Sequence, residues 1–94
     1  MTGTLSVRLA LREAYSLKDK RRVVRSIKDK LRQQHNVSVA ETDEQDTHQL
    51  AVLGIAMAGS DARYVEGALA KVVDKLRAHP VAELLDYEIV VEHA

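Results

Sequence analysis

Within 94 residues the spacing of apolar side chains switches between the period of a strand and the period of a helix four times. Thr4 to Arg12 alternates, with Leu5, Val7, Leu9 and Leu11 on one side and Thr4, Ser6, Arg8, Ala10 and Arg12 on the other. That pattern is a strand with one buried face. Ser16 follows as an N-cap with Asp19 three residues on, and Leu17, Val24, Ile27 and Leu31 then recur at helical spacing to about Gln34, with Asn36 as the stop. Val37 to Thr42 reads as a second strand and Asp43 to Asp46 as a polar turn. Leu50 to Ala58 is apolar on both faces, which places it inside a sheet. Ser60 or Asp61 caps a second helix with Val65, Leu69, Val72 and Leu76 as its buried stripe, and His79-Pro80 ends it. Leu84 to Glu92 supplies the last strand, with Tyr87, Ile89 and Val91 on one side.

The order is therefore βαββαβ. Right-handed crossovers place both helices on one face of a four-stranded antiparallel sheet, with the first and third strands in the middle. The expected fold class is α+β, ferredoxin-like, and residues 1–94 form a single domain of that kind. A chain this short buries one core of modest extent. It has no Cys, no apolar run long enough for a membrane span, and no basic start or long apolar stretch in Met1 to Glu13. These features set the expectation of a cytoplasmic protein without a membrane partner.

The zero net charge conceals an asymmetry. Residues 1–35 carry ten Lys/Arg against three acids, and residues 36–94 carry four against eleven. Much of the positive charge belongs to the first helix. Wound at about 100° per residue, that helix gathers Lys18, Arg21, Arg22, Arg25, Lys28 and Arg32 into an arc of about 120° opposite its apolar stripe. Asp29 alone interrupts them. Lys20 falls on the core-facing arc, where a snorkelling side chain is expected. The like-charged pairs Lys18/Arg22, Arg21/Arg25 and Lys28/Arg32 each cost about 0.2–0.5 kcal/mol. Cations in the first turn also oppose the helix dipole, by roughly 0.3–1 kcal/mol each. Two readings follow. The stripe binds phosphates, foremost an RNA backbone, with the first-turn N–H groups assisting. Alternatively it is a solvated face, or one neutralised by the acidic half of this chain or of a second copy.

Catalytic chemistry finds little purchase. Glu41, Asp43, Glu44 and Asp46 cluster beside His48, but their spacing lacks the glycine of a calcium loop, and a solvated turn is the simpler reading. His35, His48, His79 and His93 form no paired metal-binding motif. No serine sits in a nucleophile elbow. Acylphosphatases share the element order but require a Gly-rich first connection with an Arg, whereas this one reads Glu13-Ala14-Tyr15-Ser16. No catalytic residue, metal or cofactor is therefore assigned. RNA-recognition motifs stack bases on sheet aromatics, and this chain has only Tyr15, Tyr64 and Tyr87. The outer sheet face is expected to show Ser6, Arg8, Ala10 and Arg12 beside Leu50, Val52, Gly54, Ala56 and Ala58, a surface better suited to a homodimer contact than to bases.

The stretches Ser16-Leu17-Lys18-Asp19-Lys20-Arg21-Arg22, Asn36-Val37-Ser38-Val39-Ala40-Glu41 and Gln45-Asp46 resemble the bacterial family called domain of unknown function 503, or YlxP-like. The resemblance runs over nearly the whole chain. It implies the ferredoxin-like fold and a gene neighbourhood of transcription-antitermination, translation-initiation and ribosome-maturation factors. It carries no activity and so no catalytic residues. Relatives often place a large aromatic after the acidic turn, where this chain has Thr47-His48, so no stacking role is expected there. The expectation is a non-enzymatic accessory protein that meets structured RNA or a ribosomal particle through the basic helix. The alternatives are a dimeric module docking an acidic protein, and a small-anion sensor or enzyme.

Overall fold

Ser38–Asp43 (β2), Leu50–Ala58 (β3), Thr2–Ala10 (β1) and Glu83–Glu92 (β4) lie side by side in that order, every neighbouring pair antiparallel. The computed structural model describes residues 1–93. Leu17–Gln34 (α1) joins β1 to β2, and Ala62–Arg77 (α2) joins β3 to β4. β1 and β3 are central, as their apolar content requires, and pair over their full length from Thr2–Ala58 to Ala10–Leu50. Leu5, Val7 and Leu9 point into one cluster with Val24, Ile27 and Leu31 of α1 and Val65, Leu69, Val72 and Leu76 of α2. The alternate residues Thr4, Ser6 and Arg8 are exposed, so both helices cover the same face of the sheet. This is the ferredoxin-like α+β arrangement.

The helix ends follow from local chemistry. The Ser16 hydroxyl accepts from the Asp19 N–H at 3.1 Å, and the Asp19 carboxylate accepts from the Tyr15 N–H at 3.1 Å. This reciprocal pair fixes the start of α1 and the residue before its cap. The helix stops at His35, one residue before Asn36, with the His35 backbone extended and its N–H donating to the Leu31 carbonyl. Asp61, rather than Ser60, caps α2 by accepting from the Arg63 N–H at 3.0 Å.

Strand limits differ from the alternation by a residue or two. β1 ends at Ala10, because Leu11 leaves the ladder while its side chain remains buried and its N–H bonds to the Gln49 carbonyl at 2.9 Å. β2 starts at Ser38, and its register shifts between Glu41 and Asp43. Gly3 faces α2, where any Cβ would collide with Val65 Cγ1 and Leu69 Cδ1. A glycine at the start of β1 therefore lets α2 approach the sheet closely.

Candidate nucleic-acid interface

The apolar stripe of α1 decides which cations are free. Val24, Ile27 and Leu31 are buried against the sheet, so the opposite side of the helix faces solvent. Lys18, Arg21, Arg22 and Arg25 line one shallow furrow on that side, together with Asp29 and Lys30. Among the described residues the ion pairs are Arg12 with Glu83 and Lys20 with Glu41, each at 2.7 Å. Among the described residues none of the four furrow cations lies within ion-pair distance of a carboxylate.

The six cations of the sequence arc do not form one surface. Lys28 is half-buried. Arg32 donates from Nη2 to the Val39 carbonyl at 3.0 Å, satisfying an acceptor of the edge strand β2. Lys28 lies at the margin of the arc beside the apolar stripe, whereas Arg32 lies within the arc and is set apart by its bond to β2. Lys30, outside the arc on the helical wheel, instead joins the furrow. It follows Ser26, another lining residue, by one helical turn.

The start of α1 is less open to anions than its sequence suggested. The Asp19 N–H is taken by Ser16, and the Asp19 carboxylate itself sits in the first turn. The first turn therefore offers an anion its side chains more than its backbone N–H groups. Tyr15, immediately before the cap, is 77% exposed and has its N–H fixed by Asp19. The signal for it was present in the sequence, an aromatic in a polar loop directly preceding a basic helix.

Lys20 corrects the expectation of a snorkelling side chain. It is 1% exposed and is the one buried charged residue among those described. Its ammonium donates to the carbonyl of Glu44 and to that of Thr47, the latter at 2.8 Å, and lies 2.7 Å from Glu41 Oε2. The approach to Oε2 lacks hydrogen-bond alignment, so that oxygen is enclosed with a charge partner but no directed bond. The acidic turn is therefore an anchorage for α1. Glu44 holds a left-handed backbone, with φ of 58°, and its carbonyl also accepts from the Thr47 N–H at 3.2 Å. Among the described residues no three His, Cys, Asp or Glu side chains converge as a metal site would require.

The remaining surfaces are quieter. On the outer sheet face Val52 is buried, Leu50, Gly54 and Ala56 are half-buried, and Arg8 and Arg12 are exposed. The edge strand β4 exposes Leu85, Tyr87 and Val90, with the Arg77 guanidinium 5.5 Å from the centre of the Tyr87 ring. His79 ends α2's connection to β4, and its Nδ1 accepts from the N–H groups of Val81 and Ala82 at 3.2 and 3.0 Å. Burial first, and then the charge of Lys30, hold His79 below its ordinary pKa. No described helix is long and apolar enough to cross a membrane.

Residues 2–89 match the model of the family described as "Protein of unknown function (DUF503)". The chain is also 32% identical over 83 residues to the uncharacterized protein YlxP of Bacillus subtilis (strain 168), covering 88% of this chain and 90% of that protein. On both grounds this chain belongs to the DUF503 family.

Proposed function

We propose that this protein is a non-enzymatic cytoplasmic accessory factor that binds the phosphate backbone of structured RNA or of a ribosomal particle. Lys18, Arg21, Arg22 and Arg25 make the phosphate contacts. The observation that supports this reading is their exposure in one furrow, where Asp29 is the single acid and, among the described residues, none of the four is ion-paired. Neighbouring cations that repel one another are relieved by a polyanion, which releases its own counterions on binding. Arg32 is bonded to β2 and Lys28 is half-buried, so these two contribute to the local potential only.

The test is co-sedimentation with ribosomal particles and RNA at low and high salt, comparing the native chain with the triple variant Arg21→Glu, Arg22→Glu, Arg25→Glu. Loss of association in the variant supports the proposal, and unchanged association defeats it. A second reading, a protein-interaction module that forms a dimer, is favoured by the exposed Leu85, Tyr87 and Val90 on an edge strand. Crosslinked protein partners that survive nuclease treatment would select it.

A further inference from the structure

A second site lies away from the basic furrow, between the end of α1 and the first turns of α2. It is a cleft of about 330 Å³, within the size range of small-molecule sites. Arg63, Gly67 and Lys71 line it from α2 at successive four-residue steps, and His35 and Asn36 line it from the segment after α1. No carboxylate contributes to its wall.

Gly67 is the unexpected member. Glycine in a helix interior is among the least favourable choices, because it gives up backbone entropy and offers no side chain to pack. Close packing is the usual reason for one, as at Gly3. At Gly67 that reason is missing, since an added Cβ would meet nothing within 4 Å. Gly67 is exposed, so the cleft is open to solvent beside the bare helix backbone.

The electrostatics of the cleft have one sign. The charges of Lys75 and Lys71 both disfavour protonation of His35, after burial, which is the larger cause of its lowered pKa. His35 Nε2 is enclosed and has no hydrogen-bond partner, one of two such side-chain atoms among the described residues. Enclosed polar atoms are nearly always satisfied in folded proteins, so His35 brings an unsatisfied nitrogen to the cleft wall.

We propose that this cleft binds the phosphoryl group of a small phosphorylated ligand. The Arg63 guanidinium and the Lys71 ammonium supply charge-assisted donors from α2, and the Asn36 amide supplies a neutral one from the opposite wall. A tetrahedral anion with several acceptor oxygens suits donors that converge from two walls. The bare backbone at Gly67 gives the ligand room for close approach, and Tyr64 at the rim offers an aromatic surface to an attached organic group.

The test is titration of the isotopically labelled protein with inorganic phosphate, and separately with adenosine monophosphate, at fixed ionic strength, followed by amide NMR. The expected result is saturable shifts confined to Gln34–Val37 and Arg63–Lys71. Tighter binding of the nucleotide assigns the site to a phosphorylated metabolite, and equal binding assigns it to phosphate itself; both support a phosphoryl site. Gly67→Leu fills the cleft, and the exposed double variant Arg63→Ala, Lys71→Ala removes its charge. Each should weaken binding by about tenfold or more while the far-ultraviolet spectrum stays native. Gly67→Ala should raise Tm, because helix propensity improves without a clash. Shifts that do not saturate, shifts centred on Lys18–Arg25, or undiminished binding in the double variant would overturn the proposal.

Discussion

Lys20 Nζ sits 2.7 Å from Glu41 Oε2 and donates to two carbonyls of the following turn, so the first turn of α1 is bolted to the end of β2. The lysine side chain is almost fully buried, while the glutamate retains about a fifth of its exposure. A buried cation with three oxygen neighbours is stable only as a set. The pair therefore fixes where the basic face of α1 is presented, although neither residue belongs to that face.

Lys20→Ala should be strongly destabilising, because it leaves Glu41 and two carbonyls without their cation. The expected loss is about 3–5 kcal/mol, measured by urea unfolding. Lys20→Met combined with Glu41→Leu should recover much of it, since a buried pair replaced by apolar residues of similar size is often neutral. A single variant as stable as the native chain would show that the pair is not structural.

The furrow cations and Arg32 should separate in function. Arg22→Ala should weaken RNA association, whereas Arg32→Ala should leave it nearly intact and instead lower stability by about 0.5–1.5 kcal/mol through the lost bond to Val39. Filter binding and thermal unfolding on the same two variants check this.

With four phosphate contacts, the logarithm of the RNA association constant should fall against the logarithm of salt with a slope of roughly −3 to −4. A slope near zero would exclude backbone binding. Fluorescence anisotropy across a salt series measures it.

Stability should fall as the solution is acidified below pH 6.5. His79 titrates at 6.5 when unfolded and lower when folded, so between those values the unfolded chain binds the extra proton. The contribution of the neutral imidazole is complete above 6.5 and is lost as pH falls towards the folded pKa. His35 is shifted in the same direction by burial and by Lys75 and Lys71, and adds to the effect. Thermal unfolding from pH 7.5 to 5 should show a smaller loss in His79→Ala than in the native chain. Equal losses would mean that the Nδ1 bonds to Val81 and Ala82 contribute little.

Gly3→Ala should cost about 1–3 kcal/mol, because the new methyl meets Val65 and Leu69 in a packed core. A neutral result in urea unfolding would mean that α2 can slide away from β1.

Apolar periodicity carries the framework because each strand and helix must bury a face whatever lies opposite. Leu5, Val7 and Leu9 alternate, Val24, Ile27 and Leu31 repeat at helical spacing, and an unbroken apolar β3 fits only inside a sheet. The capping of α1 by Ser16 was equally legible, since it depends on neighbours within four residues. Other features depend on residues far apart in the chain. Arg32 belongs to β2 only because α1 packs beside that edge. The glycine at 67 looks like an ordinary weak point in a helix until the cleft beside it is known.

The order of elements, the central strands, the helix limits to within a residue or two, and the existence of a basic helix are all legible along the chain. Local propensity and one-dimensional periodicity contain that much. Which cations remain free, the burial of Lys20, and its reception by the acidic turn emerge only when the elements pack together. Those outcomes depend on distance and desolvation between segments more than 20 positions apart, and helical angle carries no record of either.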